Sequence, residues 1–124
     1  MNNLINNKKT GIDVSYAQGK INWPEVKNHI DFAIIRCGYG DNIESQDDVY
    51  WKYNADECTR LGIPFGVYIY SYAANDTQSR SEAEHVLRLI RGYKLSYPIY
   101  LDLEEETAAV QEHAGRGAQI FGDI

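Results

Sequence analysis

The chain has 124 residues, 44% apolar and 24% charged, which suits one soluble domain around one core and leaves no compositional sign of disorder. A formal net charge of −6 argues against a nucleic-acid partner, whose affinity rests on basic contacts to phosphate. No run is long enough to span a membrane, and the polar residues 1–10 lack the apolar stretch of a Sec-type signal peptide, so no membrane partner is expected.

Two cysteines, Cys37 and Cys58, are too few for a disulfide framework and show no CxxC spacing; they are expected to be buried free thiols. The three histidines lie far apart in sequence, so no metal or other cofactor is expected. Ten tyrosines and two tryptophans suit either strand packing or a carbohydrate groove.

In chain order, residues 12–15 read as a short strand after Gly11. Asn22 is placed to cap a short helix, with Trp23-Pro24 in its first turn and Val26 toward the core. Residues 32–37 form a near-continuous apolar run, as parallel strands buried on both faces do. Gly38-Tyr39-Gly40 is expected to break that strand. Asp47 or Asp48 is the candidate cap of the next helix, with Val49, Tyr50, Tyr53 and Leu61 as apolar positions and Gly62 as its stop. Residues 63–70 predict a third strand with Pro64 near its beginning. A cap at Asn75 or Asp76 opens a helix to about Arg91, carrying Ala83, Val86, Leu87 and Ile90 at helical spacing, and Gly92 ends it. Residues 97–103 predict a fourth strand. After Glu106 the chain turns helical again, weakened by Gly115, Gly117 and Gly122. Strands alternating with helices predict right-handed βαβ units, hence an α/β fold with a parallel sheet.

Asp102-Leu103-Glu104 carries the clearest chemistry. Positions i and i+2 of a strand point to one side, so two carboxyl groups face one cavity about 6–7 Å apart at Cβ, twice the strand rise. Their repulsion raises one pKa, leaving an acid beside an ionised partner, the pair that glycosidic cleavage uses. The triplet alone is also the pattern of a solvated strand end. The other predicted strands end in polar groups too: Asp13 and Ser15, with Gln18 following; Arg36, with Tyr39 following; and Tyr68, Tyr70 and Ser71. In βα-barrels the catalytic groups converge on that rim. Each has a structural reading as well: Asp13 as a loop cap, Arg36 as a carboxylate's counter-ion, Tyr68 and Tyr70 as core.

Four segments together resemble glycoside hydrolase family 25, the Chalaropsis-type lysozymes that cleave peptidoglycan. They are Gly11-Ile-Asp-Val-Ser-Tyr-Ala-Gln-Gly19, Phe32-Ala-Ile-Ile-Arg-Cys-Gly-Tyr-Gly40, Gly66-Val-Tyr-Ile-Tyr-Ser-Tyr-Ala73 and Tyr97-Pro-Ile-Tyr-Leu-Asp-Leu-Glu104. The resemblance implies an N-acetylmuramidase with Glu104 as the acid that protonates the leaving oxygen. Asp102 then acts as nucleophile or orients the substrate's acetamido group, and Asp13 positions the substrate beside them. Gln18, Arg36, Tyr39, Tyr68 and Tyr70 line the groove.

Two departures accompany it. Many family members carry Lys-x-x-Glu-Gly where this chain has Arg36-Cys-Gly-Tyr39-Gly40, so no acid is expected there. The family's barrel is also longer, with later strands that have no counterpart here. Residues 11–124 are therefore expected to form the first half of a TIM-like (β/α) barrel behind a polar extension at 1–10. Such a half is expected to be weakly active alone, and its open sheet edges to favour self-association or pairing with a missing C-terminal half. Competing readings are a non-catalytic wall-binding or assembly fragment, and a chitinase-like glycosidase. The latter's Asp-Gly-x-Asp-x-Asp-x-Glu run is absent. With no export signal visible, the expected site of action is the bacterial wall after release or non-classical export.

Overall fold

Every strand runs parallel to its neighbour, in the order in which the chain makes them. The structure is a computed structural model that describes residues 8–103 and 108–122. Its sheet order is β1 (Gly11–Val14), β2 (Phe32–Tyr39), β3 (Phe65–Tyr70) and β4 (Ile99–Asp102). Helix α1 (Trp23–Val26) follows β1, α2 (Trp51–Leu61) follows β2, α3 (Asp76–Ile90) follows β3 and α4 (Ala108–Gly122) follows β4. This is the α/β architecture that the alternating pattern predicts, wound in one direction as in a βα-barrel.

The two sheet faces differ sharply. Ala33, Ile35 and Cys37 of β2 and Phe65, Val67 and Ile69 of β3 enter one core with Val14, Trp23, Trp51, Ala55, Cys58 and Val86. Full burial of each large apolar side chain contributes about 1.5–3 kcal/mol. Both tryptophans satisfy their N–H inside that core: Trp23 Nε1 donates to Asn54 Oδ1 at 2.9 Å and Trp51 Nε1 to the Leu89 carbonyl at 3.1 Å. The alternate residues Asp13, Ile34, Arg36, Tyr68, Tyr70, Tyr100 and Asp102 occupy the opposite, inner face, half-buried or exposed. Cys37 and Cys58 are buried free thiols, as expected.

Gly38-Tyr39-Gly40 does not break β2 at Cys37. The strand continues to Tyr39 through a bulge, so Arg36 pairs with Tyr68, Gly38 with Ile69 and Tyr39 with Tyr70. The extra residue brings Tyr39 level with Tyr70 and Asp102 on the inner face. Gly38 permits this. A Cβ there would stand 2.6 Å from the Gln46 carbonyl oxygen and 2.9 Å from His85 Cε1. Gly40 then turns the chain with φ +59°, where a Cβ would run into the Tyr72 phenol.

Other boundaries also shift. β3 starts at Phe65 and β4 at Ile99, each directly after a proline that has no N–H for the ladder. Helix α2 is capped by neither Asp47 nor Asp48; Tyr50 occupies the cap position, and Asp48 Oδ1 accepts from the Tyr50 N–H at 2.9 Å. Val49 and Leu87, read as apolar positions of the two helices, are 80% and 40% exposed. Trp51, which falls two residues after Val49, takes the core place instead. Gly62 ends α2 at φ 71°, and Asn75 caps α3 through a 2.9 Å bond from the Gln78 N–H. Helix α4 docks on α3 through Ser79 Oγ and His113 Nε2 at 2.7 Å and an Arg116–Asp76 ion pair at 3.2 Å. Among the described residues no helix is long and apolar enough to cross a membrane.

Candidate active site

Two neighbouring clefts open on the inner face. The first, of about 460 Å³, is lined by Asp13, Ile34, Tyr68, Tyr100, Leu101 and Asp102. Asp13 comes from the edge strand β1 and Asp102 from the last residue of β4, so the two carboxylates flank Tyr68 on β3. Burial pushes the Tyr68 phenol up to about 12. Arg36 pulls the other way, and Asp13 and Asp102 add to the rise. Tyr68 therefore remains a hydrogen-bond donor across the neutral range, inside a pocket with carboxylates on either side. Glu104 of the Asp-x-Glu triplet lies outside the described residues.

The second cleft, of about 540 Å³, is lined by Tyr16, Arg36, Tyr39, Tyr70, Tyr72 and Val49, with Ser45, Asp47 and Asp48 at its base and side. It adjoins the first, because Arg36 pairs with Tyr68, and Tyr39, Tyr70 and Asp102 share one register row. Arg36 Nε donates to Asp48 Oδ2 at 2.9 Å, and the two side chains are 13% and 0% exposed. Its guanidinium lies 4.8 Å from the Tyr16 ring centroid and 5.7 Å from that of Tyr39.

Of the residues singled out from sequence, Asp13, Tyr68 and Asp102 meet in one cleft and Arg36, Tyr39 and Tyr70 in the next. Gln18 lines neither. It follows β1 in a short 3-10 turn, where its Oε1 accepts the Ser15 N–H at 2.7 Å. Sequence reasoning missed Tyr16, Tyr72, Tyr100 and Asp48. Tyr16 and Tyr72 stood inside the quoted motifs, and Tyr100 on the predicted strand. Nothing local marked Asp48 as the partner of Arg36.

A ring of supporting contacts holds the loop after β2. His85 Nδ1 lies 2.9 Å from the Gly40 carbonyl oxygen and Nε2 lies 2.8 Å from Asp47 Oδ1, while Arg88 reaches Asp47 at 2.6 Å. Burial alone would raise the Asp47 carboxyl, but hydrogen bonds from Arg88 and His85 outweigh it and hold the group below its ordinary range. Buried Glu82 accepts from the Ser71 hydroxyl at 2.5 Å and the Tyr72 N–H at 3.2 Å. Burial pushes it up, and those bonds only partly oppose the rise. Among the described residues no group of three or more His, Cys, Asp or Glu side chains is placed to hold a metal.

A one-way parallel βα winding with carboxylates and tyrosines gathered on its inner face is that of an incomplete (β/α)-barrel. The family model for glycosyl hydrolases family 25 matches residues 12–123, and the chain belongs to that family. No curated protein matches it.

Among solved structures, the modular autolysin LytC from Streptococcus pneumoniae is 34% identical with a TM-score of 0.78; the match covers 93% of this chain and 29% of that one. GHIP, a glycosyl hydrolase 25 of the same organism, is 24% identical with a TM-score of 0.77 and coverages of 94% and 53%. A bacterial lysozyme from Streptomyces coelicolor is 21% identical with a TM-score of 0.69 and coverages of 93% and 58%. The chain thus spans under a third of LytC and somewhat over half of the two others.

Proposed function

We propose that this chain is the first half of a peptidoglycan hydrolase that cleaves the bond from N-acetylmuramic acid to N-acetylglucosamine. The observation that carries the reading is the meeting of Asp13, Tyr68 and Asp102 in one cleft of a family 25 chain. Glu104 protonates the leaving oxygen, and Asp102 supports the opposite side of the reaction as nucleophile or by orienting the acetamido group. Asp13 positions the ring between them. Tyr68, a donor at neutral pH, bonds a substrate oxygen there. Arg36, Tyr39 and Tyr70 hold the adjoining sugar, and Gln18 acts only by closing the turn after β1.

Peptidoglycan glycan strands are thus the proposed partner, and the bacterial wall the proposed site of action. The outer edge of β4 supports a second element of the reading. Ile99, Tyr100 and Leu103 stand exposed on or just after this strand, and the relatives are longer than this chain. The strands of a C-terminal half pair there, and without them activity is weak.

Release of soluble saccharide from purified cell walls tests the reading. The chain is expected to release it slowly, and Glu104→Gln to lower the rate about 100-fold or more, as loss of a general acid does. Release that Glu104→Gln leaves unchanged contradicts the assignment.

A further inference from the structure

Behind the acidic strand end lies a buried carboxylate that the proposed reaction does not use. Glu82, on α3, is 1% exposed. Its Oε1 accepts the Ser71 hydroxyl at 2.5 Å and its Oε2 accepts the Tyr72 N–H at 3.2 Å. One carboxylate thus holds two consecutive residues at the exit of β3. Buried Ser71 passes the hold on: its own N–H donates to the Asp102 carbonyl oxygen at 2.8 Å. That bond extends the β3–β4 ladder one residue past the pair Tyr70–Asp102, where Asp102 lines the acidic cleft. Glu82 and Ser71 share a space of about 10 Å³ with Leu101, Leu103 and His113, room for no more than one water molecule.

A carboxylate is costly to bury, and glutamine or leucine would fill this place without a charge. What the carboxylate adds is two acceptor oxygens held in one plane by a helix, facing two donors. The short Ser71 contact is of the charge-assisted kind, stronger than a bond between neutral groups. We infer that Glu82 is a positioning residue for the hydrolysis: through Ser71 it sets where the Asp102 end of β4 stands in the acidic cleft. Glu82 lines neither inner-face cleft, so its effect reaches the reaction through that strand end. The inference rests on the hydrolase reading for what Asp102 does, and on the hydrogen bonds alone for how Asp102 is held.

Two readouts on the intact chain test it: amide hydrogen exchange, and saccharide release across a range of wall concentrations, which separates kcat from KM. Glu82→Leu removes both bonds. Its Ser71 amide is expected to exchange about tenfold or more faster, while the mid-sheet amides of Ile35 and Val67 keep wild-type protection. Its kcat is expected to fall about tenfold with KM unchanged, because a small misplacement of a reacting group is felt in the transition state. Glu82→Gln accepts the Tyr72 N–H and donates to Ser71 Oγ, so it is expected to stay within about threefold of the wild type in both readouts. Ser71→Ala keeps the backbone bond to Asp102 but cuts the link to Glu82. It is expected to lower kcat in the same way, and adding Glu82→Leu to it is expected to cost little more. Ser71→Ala decides the matter if Glu82→Leu fails to fold. An unchanged kcat in folded Glu82→Leu or Ser71→Ala overturns the inference and leaves the hydrolase reading standing. So does a fall in kcat without faster Ser71 exchange in Glu82→Leu, or a Glu82→Gln variant as slow as Glu82→Leu. A wild-type chain that releases no saccharide overturns both.

Discussion

Asp48 and Arg36 form the most consequential pair of side chains in the molecule. Removing one partner of a buried ion pair strands the other charge, so Arg36→Ala is expected to cost about 3–5 kcal/mol in chemical denaturation. A loss under 1 kcal/mol contradicts the buried geometry. The thiols give a second check at this scale. Burial pushes both Cys37 and Cys58 up to about 12, so neither is a thiolate at neutral pH. Both are expected to resist a thiol reagent in the native state and to react on unfolding; rapid native labelling contradicts the packing. The strand-end residues Asp13, Tyr68 and Asp102 were legible because alternation alone fixes which way they face. Asp48 was not, because its partner is brought to it by β2 and by the turn before α2. A local cap is what an Asp-Asp pair before a helix suggests on its own.

Among the elements, β2 and α3 show how far the sequence pattern reaches. A near-continuous apolar run predicted the strand, but glycine content pointed to a break where a bulge carries Tyr39 to the inner face. The difference is tertiary: Gly38 is needed for the approach of Gln46 and His85, a contact with no trace in the local pattern. Helix α3 was legible from its cap and period, and Asn75→Ala is expected to cost about 1 kcal/mol. Its buried carboxylate sets a pH dependence. Glu82 is raised above its ordinary value of 4.5 in the folded chain, so folding favours its protonated form. Its contribution is present below pH 4.5 and is lost as pH rises through the folded pKa. Asp47 works in the opposite sense. Held below its ordinary 3.8, it contributes stability above that value and loses it as pH falls further. In thermal melts, Glu82→Gln is therefore expected to gain stability relative to the wild type as pH rises from 4 to 8. A difference that is flat with pH contradicts the burial of a charged Glu82.

For the whole molecule, the parallel winding and its order followed from alternation of strand and helix. The acidic triplet stood out by its spacing on a predicted strand, and the family resemblance supplied its expected roles. What sequence could not give is the division of the inner face into two clefts, since that depends on the bulge and on which tyrosines stay half-buried. Among the described residues, the acidic cleft is lined from the four strands of an open sheet with β1 and β4 at its edges. Supplying the later strands, as a fusion with the C-terminal half of a family 25 domain, is expected to raise hydrolysis well above that of the chain alone. Equal rates contradict the proposed role of the β4 edge. The most direct test of the central claim is the identity of the new chain end. Cell walls digested by this chain and then reduced with borohydride are expected to yield muramicitol, the product of cutting after N-acetylmuramic acid, and Glu104→Gln to yield about 100-fold less or lower. Glucosaminitol as the main product, or muramicitol undiminished in Glu104→Gln, would contradict the account.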